Sequence, residues 1–178
     1  DYNNLADVGN FLNIEKAVSR LKGAKEANEK ICVYGDYDVD GITATAVVFD
    51  VLNKIGVQKV CTYIPHREDE GYGLNKEALS ELKKDGVNLV ITVDCGIVSK
   101  EIVDAEEKLD FIVIDHHAID EEKLPKKSIN LHPSLTKDKK EYGLAGCGMA
   151  FYFARAVQEG FKNEFPKGQE KWLLDLVA

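Results

Sequence analysis

The sequence lacks the features of a membrane or secreted protein. No apolar run approaches the roughly 18 residues of a membrane-spanning helix, and the first residues do not form a basic segment followed by an apolar one. The four cysteines are widely spaced and form no C-x-x-C pair, which favours reduced thiols in a cytosol over disulfides or a zinc site. We therefore expect a soluble, cytoplasmic protein that does not contact a membrane.

An excess of basic residues is also missing. The formal net charge is −8, whereas a protein that holds nucleic acid by bulk charge needs a basic face. This balance does not exclude phosphate chemistry, because two divalent ions in an acidic pocket would supply positive charge where a phosphodiester must lie. No G-x-G-x-x-G or G-x-x-x-x-G-K-[ST] motif follows a predicted strand, so a dinucleotide or P-loop site has little support.

The apolar residues are arranged in segments typical of alternating strands and helices. With 178 residues, of which 44% are apolar, the chain is long enough for one well-buried domain. The expected strands are 31–34, 59–64, 89–93 and 111–114, with an edge strand at 128–131, and the expected helices are 12–28, 42–55, 75–85, 99–108, 149–158 and 172–178. Continuous apolar strands that alternate with helices predict an α/β fold with a parallel sheet covered on both faces.

An acidic segment follows the first predicted strand. Asp36, Asp38 and Asp40 alternate there, and Gly41 precedes the next helix. If the chain stays extended, its period of two places the three carboxylates on one side, where they repel one another unless a cation joins them. An EF-hand calcium loop has the same spacing, but its twelfth position needs a bidentate Glu and is Val47 here. A solvated acidic turn without a metal is the other alternative.

Two further predicted strands end in metal-type ligands. Asp94 follows the third strand, and Asp115, His116 and His117 follow the fourth. The carboxyl ends of parallel strands lie at one edge of a sheet, where ligands collect. The sequence therefore predicts a mixed oxygen and nitrogen ligand set that suits manganese or a similar divalent ion.

The later half of the chain is less decisive. A glycine-rich segment, 144–148, precedes a predicted helix whose free N–H groups can bind an anion. Close packing of the helix is the alternative explanation for Gly146 and Gly148. His132, which precedes Pro133 after the edge strand, is either a loop residue or a further metal ligand.

Several motifs occur in an order that is more specific than any one of them. They are Tyr34-Gly-Asp-Tyr-Asp-Val-Asp-Gly41, Pro65-His-Arg67 with Glu70-Gly-Tyr-Gly-Leu74, Val93-Asp-Cys-Gly96, Asp115-His-His117 and Leu144-Ala-Gly-Cys-Gly148. Together they resemble the DHH phosphoesterase family, and within it the branch of single-strand-specific 5′ to 3′ DNA exonucleases. The resemblance covers nearly the whole chain. It implies a doubly wound, mainly parallel sheet with helices on both faces, two bound divalent ions, usually Mn²⁺ with Mg²⁺ as the alternative, and hydrolysis of phosphodiesters.

The resemblance also implies roles for individual residues. The metal ligands are Asp36, Asp38, Asp40, Asp94 and His116, with Asp94 as the bridge between the ions. The catalytic residues are His117, Asp40 and Asp94, and the candidate contacts to the substrate phosphate are Arg67, His117, Gly146 and Gly148. Asp115 is expected to orient a histidine rather than to bind a metal.

Two departures from the family pattern concern the metal site. Tyr34 stands where many relatives have a histidine ligand, and the last acidic ligand of the family lies just after the kind of helix expected at 172–178, where this sequence ends. We therefore interpret residues 1–178 as a single DHH domain that is truncated at its C-terminus. The DHH-associated and nucleic-acid-binding domains of such exonucleases would be absent, so we expect this fragment to bind metal better than it digests DNA.

The resemblance also implies partners. In the full-length parent, the substrate would be the 5′ end of single-stranded DNA, in DNA repair and recombination, with repair proteins of unknown identity as further partners. Two other functions stay open at this point. One is a DHH phosphatase or oligoribonuclease acting on short or cyclic nucleotides, and a manganese pyrophosphatase is a less similar enzyme of this kind. The other is a catalytically inactive DHH scaffold.

Overall fold

Five strands form one parallel sheet in this computed structural model, which describes residues 5–177. The strands are β1 (Lys30–Tyr34), β2 (Val60–Tyr63), β3 (Val87–Val93), β4 (Asp110–Ile114) and β5 (Ser128–Leu131). Their order is β2-β1-β3-β4-β5, and each neighbouring pair is parallel. This order is that of a doubly wound sheet. The expected α/β fold is confirmed, and β5 is an edge strand as predicted.

Helices cover both faces of the sheet. They are α1 (Ile14–Glu26), α2 (Val39–Lys54), α3 (Lys76–Lys84), α4 (Lys100–Val103), α5 (Gly146–Gly160) and α6 (Leu174–Val177). Successive side chains of a strand point to opposite faces, and β1 shows the result. Ile31 and Val33 pack into the core formed with α1, α2 and α5, whereas Cys32 and Tyr34 pack into the core formed with α3. All four cysteines are free.

Two predicted helices are shortened or divided in the structure. The helix expected at 99–108 is a single turn, α4, and the side chain of Asp104 after it accepts hydrogen bonds from the N–H groups of Lys126 and Lys127. The helix expected at 172–178 is observed as a 3-10 helix, Gln169–Leu173, followed by α6, and Ala178 lies outside the described residues. None of the helices between residues 5 and 177 is long and apolar enough to cross a membrane.

The order of the strands reverses between β1 and β3. The chain leaves β1 through α2 toward β2 on one side, and returns through α3 to β3 on the other side. The loops after these two strands therefore diverge and open a crevice, the usual ligand position in doubly wound folds. Asp36 follows β1 and Asp94 follows β3, so two of the predicted ligands lie at this crevice.

Candidate metal centre

The acidic segment after β1 bends at once into a helix. Asp38 is the N-cap of α2, and its Oδ1 accepts a hydrogen bond from the N–H of Gly41 at 2.9 Å. Asp40 therefore lies in the first turn of α2. The expectation that the acids alternate along an extended segment, with the helix beginning near Ile42, is wrong. Capping by Asp38 satisfies an N–H group at the helix start and begins the helix at Val39.

Gly41 allows this bend because it has no side chain. A Cβ atom at that position would lie 2.6 Å from the backbone N and O atoms of Asp36, far inside van der Waals contact. The start of α2 can therefore pack directly against the backbone of Asp36, which is 3% exposed. This close approach brings the acids of the segment to the crevice.

Asp94 occupies the centre of the crevice in an unusual backbone conformation. Its φ of 60° lies in the left-handed region, which residues other than glycine adopt rarely and mainly at functional or turn positions. Its N–H still donates to the carbonyl of Ile114 at 2.9 Å, so the residue stays attached to the end of β4. The residue is 1% exposed.

His116 links the ends of three elements. Its Nε2 lies 3.1 Å from Oδ1 of Asp94 and 3.4 Å from Oδ2 of Asp40. These atoms come from the loop after β4, the loop after β3 and the first turn of α2. The structure therefore brings the predicted ligands His116, Asp94 and Asp40 together.

The carboxylate of Asp115 orients the two histidines that follow it. Its Oδ1 lies 2.8 Å from Nδ1 of His117 and accepts the N–H of His116 at 2.7 Å, and its Oδ2 accepts the N–H of Ile97 at 2.9 Å. Burial alone would raise the pKa of Asp115, but these hydrogen bonds hold it below its usual range. The carboxylate is thus ionised and accepts, so Nδ1 of His117 donates. The same contact raises the pKa of His117.

Two overlapping groups of ligand atoms form around Asp94. One contains Asp36, Asp38 and Asp94, the other contains Asp94, His116 and His117, and within each group the atoms lie within 4.8 Å of one another. Among the described residues, the buried Oδ1 of Asp36 has no hydrogen-bond partner, and Oδ1 of Asp94 has the ring of His116 beside it, with Nε2 3.1 Å away. Unsatisfied buried carboxylate oxygens are unfavourable unless a cation is near. Carboxylate and imidazole ligands also suit Mn²⁺ and similar ions, so these residues fit divalent cations.

The pKa values of the buried acids in the crevice also favour a bound cation. Burial, followed by the carboxylates of Asp40 and Asp38, raises the pKa of Asp94 to about 8. Burial also raises the pKa of Asp36. Acids that resist ionisation because of burial and like charges gain most from a bound divalent ion, which reverses the sign of the local field.

Asp40 is held by the N-terminus of α5. Its carboxylate accepts the N–H groups of Gly146 and Cys147, each at 2.7 Å. Burial alone would raise the pKa of Asp40, but these hydrogen bonds lower it. The N–H of Gly146 is therefore engaged by a protein carboxylate, and Gly148 is buried, with Leu144 3.4 Å from where a Cβ would lie. Phosphate binding by Gly146 and Gly148 stays a prediction.

Arg67 lies at the rim of the same crevice. Its guanidinium carbon is 5.3 Å from the centre of the Tyr37 ring, a cation–π contact. Tyr37 stands between Asp36 and Asp38, so the contact holds Arg67 beside the acidic segment. The side chain of Arg67 remains exposed.

Tyr72 is a site residue to which the sequence motifs assigned no role. Its hydroxyl donates to the carbonyl of Asp94 at 3.1 Å and lies 3.1 Å from Nδ1 of His117. The glycines on either side, Gly71 and Gly73, have φ values of 73° and 84°. The Gly-Tyr-Gly triplet was the sequence signal that could have identified Tyr72 as a site residue. Two glycines that can adopt left-handed positions on either side of an aromatic residue indicate a tight turn that exposes the aromatic side chain.

Two residues left open by the sequence have structural roles. The buried hydroxyl of Tyr34 donates to the carbonyl of Gly73 at 3.1 Å, which ties this side chain to the loop before α3. His132 is 3% exposed, its Nδ1 accepts the N–H of Ser134, and its Nε2 therefore donates to the carbonyl of His117 at 2.8 Å. His132 is thus a loop residue that supports the histidine loop.

A glycine substitution tests how closely α5 packs on the site. A Cβ at position 146 would lie 2.7 Å from Oδ1 of Asp94, whereas a Cβ at position 143 would meet no atom within 4 Å. We expect Gly146→Ala to displace Asp94 and to weaken manganese binding by about tenfold or more, a loss equivalent to about 1.4 kcal/mol. Calorimetric titration measures this, with Gly143→Ala as the matched control. Equal affinities for the two variants would contradict the packing of α5 on Asp94.

Comparison with known proteins is consistent with this geometry. Residues 30–178 match the sequence model of the DHH family, N-terminal domain. The chain is 42% identical over 170 residues to the single-stranded-DNA-specific exonuclease RecJ of Bacillus subtilis, and the match covers 93% of the chain and 20% of that protein. The chain thus spans about a fifth of the length of this relative.

Solved structures of relatives have the same fold. The crystal structure of exonuclease RecJ bound to manganese superposes with a TM-score of 0.84 at 32% identity, covering 97% of this chain and 43% of that one. The crystal structure of RecJ from Thermus thermophilus in complex with Mn²⁺ gives a TM-score of 0.79 at 28% identity, covering 99% of this chain and 25% of that one.

Proposed function

The chain belongs to the DHH family, and from that premise we propose that it is the catalytic domain of a metal-dependent exonuclease that shortens single-stranded DNA from its 5′ end. The observation that carries the proposal is the pair of ligand groups that share Asp94 in the crevice between β1 and β3. The names of the relatives support single-stranded DNA as the substrate. Manganese in two related structures supports Mn²⁺ as the metal, with Mg²⁺ as the alternative.

The carboxylates and His116 supply the metal ligands in this proposal. Asp94 belongs to both ligand groups and would serve both ions, while Asp40 lies beside His116 with its carboxylate already ionised and held by α5. Two bound divalent ions would lower the pKa of a water molecule and offset the negative charge of the phosphate. Since its pKa is about 8 without metal, Asp94 would release a proton on becoming a ligand.

His117 is assigned to the substrate. Because its Nδ1 donates to Asp115, the ring is fixed, and Nε2 has only the hydroxyl of Tyr72, 3.3 Å away, beside it and is the nitrogen that can turn to a substrate. The Asp115 contact also raises the pKa of His117, which favours an N–H on Nε2. An N–H donor aimed at the phosphate would stabilise charge that develops on its oxygens in the transition state.

Arg67 is assigned to a phosphate of the substrate strand. Its guanidinium rests on Tyr37 and remains exposed beside the acidic segment. A planar guanidinium can donate two parallel hydrogen bonds to one phosphate, and stacking on an aromatic ring leaves its edge free to do so.

The assay uses single strands labelled at either the 5′ or the 3′ end, with manganese, and compares this chain with the longest natural protein that contains it. We expect label to be released first from the 5′ end of single strands, little release from blunt duplexes, and none with chelator. This chain alone should bind manganese but digest DNA more weakly than the longer protein.

Each rival function gives a different result in this assay. Hydrolysis confined to dinucleotides or cyclic nucleotides would replace the exonuclease with a phosphatase or oligoribonuclease. Manganese binding without hydrolysis of any of these substrates by the longer protein would indicate an inactive scaffold. Release that begins at the 3′ end would overturn the proposed polarity. Interaction with DNA-repair proteins stays a prediction.

A further inference from the structure

The loop between β2 and α3 crosses the metal centre. Near its start, Arg67 lies over Tyr37 in the acidic segment after β1. Near its end, Tyr72 contacts the carbonyl of Asp94 and the ring of His117, which follow β3 and β4. This loop, residues 64–75, therefore places one cationic and one phenolic side chain on two sides of the same ligand cluster.

One side chain within the loop holds its beginning. Oε2 of Glu70 accepts the N–H of His66 at 2.7 Å, and Oε1 accepts the hydroxyl of Tyr63, the last residue of β2. His66 directly precedes Arg67. The carboxylate of Glu70 thus fastens the segment that carries Arg67 to the end of an ordered strand.

The same carboxylate holds the end of the loop. Asn75 donates from Nδ2 to Oε1 of Glu70 and to the hydroxyl of Tyr34, each at 3.2 Å, while its Oδ1 accepts the N–H of Ala78 as the N-cap of α3. Tyr34 in turn donates to the carbonyl of Gly73. Both ends of the loop are therefore joined to β1, β2 and α3 through one network in which Glu70 accepts three hydrogen bonds.

We propose that Glu70 is a positioning residue that fixes the 64–75 loop over the metal centre, so that Arg67 and Tyr72 face the substrate in one arrangement. Glu70 itself touches neither the ligand cluster nor the reacting atoms. The inference rests on the proposed function for its effect on DNA hydrolysis, but its effect on the loop is independent of that function. Losing the carboxylate should loosen substrate binding while leaving the metal ligands in place.

Glutamine is the informative replacement. It has nearly the same shape as glutamate, but one of its two acceptor oxygens becomes an NH₂ group. Whichever way the amide turns, this group faces either the N–H of His66 or the donors from Tyr63 and Asn75. The hydrogen bond from either His66 or Asn75 is therefore lost, since both groups can only donate here, while the bulk of the side chain is kept. Glu68→Gln is the matched control, because Glu68 lies exposed in the same loop and the substitution removes the same charge.

Hydrogen exchange of the metal-free protein tests the loop directly. We expect amides 66–74 to exchange about tenfold faster in Glu70→Gln than in the wild type, because local opening depends on the hydrogen bonds that close the segment. Glu68→Gln should exchange like the wild type. Tyr63→Phe, which removes one donor, should give a smaller increase in the same amides. If Glu70→Gln exchanges like Glu68→Gln, Glu70 does not hold the loop and the proposal fails.

Kinetics of the longest natural protein containing this chain test the consequence for the substrate. In Glu70→Gln, KM for single-stranded DNA should rise about tenfold while kcat falls less than about threefold, the pattern for lost substrate binding. Manganese affinity should match that of Glu68→Gln. A fall in kcat with unchanged KM, or a loss of manganese affinity, would contradict positioning of the substrate side chains. If the wild type hydrolyses no DNA, the proposed function fails, and the exchange experiment still decides the role of Glu70.

Discussion

Asp94→Asn is expected to remove most of the manganese-induced rise in Tm and, at the same time, to raise the Tm of the metal-free protein. The first effect follows because Asp94 belongs to both ligand groups, so in the proposed two-ion site its loss would weaken the binding of both ions. Metal bound only by the folded state at a thousand times its Kd stabilises it by about 4 kcal/mol. For a chain of this size that is roughly 10 °C in Tm.

The second effect follows from the burial of Asp94 beside the carboxylates of Asp40 and Asp38, which disfavours its ionised form. Its carboxyl stays protonated up to pH about 8 in the folded protein, whereas in the unfolded chain it ionises near pH about 4. Between these values the folded state binds more protons, so the free energy of unfolding falls as pH rises. Asparagine does not titrate and tolerates the left-handed backbone found here. The stability advantage of the variant in chelator should therefore be small near pH 4 and grow toward pH 8.

Thermal unfolding in chelator and in excess manganese measures both effects. Asp36→Asn is the comparison, because Asp36 belongs to one ligand group only and should lose less of the manganese effect. Equal losses in the two variants would show that Asp94 does not bridge the ions. If manganese leaves the Tm of the wild type unchanged, the proposal of a metal site is wrong.

His117→Ala is expected to lower the turnover of single-stranded DNA by on the order of 10² or more, the scale for removing one transition-state donor. Manganese affinity should stay within a few-fold of the wild-type value. His116→Ala should lower both, because His116 Nε2 lies against the carboxylates of Asp94 and Asp40. The two histidines differ because Nδ1 of His117 already donates to Asp115, which aims its ring differently from that of its neighbour.

The structure makes this a sharp test, because both histidines lie within reach of Asp94. Turnover is measured with the longest natural protein that contains the chain, and affinity by calorimetric titration. His117→Gln is the matched variant, since its amide N–H can replace the imidazole donor and should restore part of the turnover lost in His117→Ala. If His117→Ala abolishes manganese binding as fully as His116→Ala does, His117 is a metal ligand and the assigned roles are wrong.

The strands and the ends of the strands could be predicted from the chain alone. The run from Leu89 to Val93 is mainly apolar and rich in β-branched residues. Short runs of this kind are typical of strands in a parallel sheet, and in the structure this run is buried. The polar residues that follow such runs, such as Asp94 after β3 and Asp115 after β4, then lie at the carboxyl edge of the sheet. Membership of the DHH family, predicted from linked motifs, is confirmed by the match over residues 30–178.

The backbone conformation of the acidic segment could not be predicted in the same way. An Asp-x-Asp-x-Asp sequence is compatible with an extended segment and with a helix start, and the local pattern does not separate the two. Packing separates them, since only a glycine at position 41 lets α2 start against the backbone of Asp36. The N-cap at Asp38 then turns Asp40 into the helix.

Local pattern thus decides which residues form strands and helices, and which acids and histidines stand at strand ends, because periodicity and burial act over a few residues. The tertiary structure alone decides which of these side chains meet. Asp40 caps a helix that begins 106 residues later in the chain, and Tyr72 contacts a histidine 45 residues away. Such contacts depend on the order of the strands and on close backbone approach at glycines. The meeting of Asp40, Asp94 and His116 and the contact of Tyr72 with His117 therefore arise from the packing of distant segments against one another.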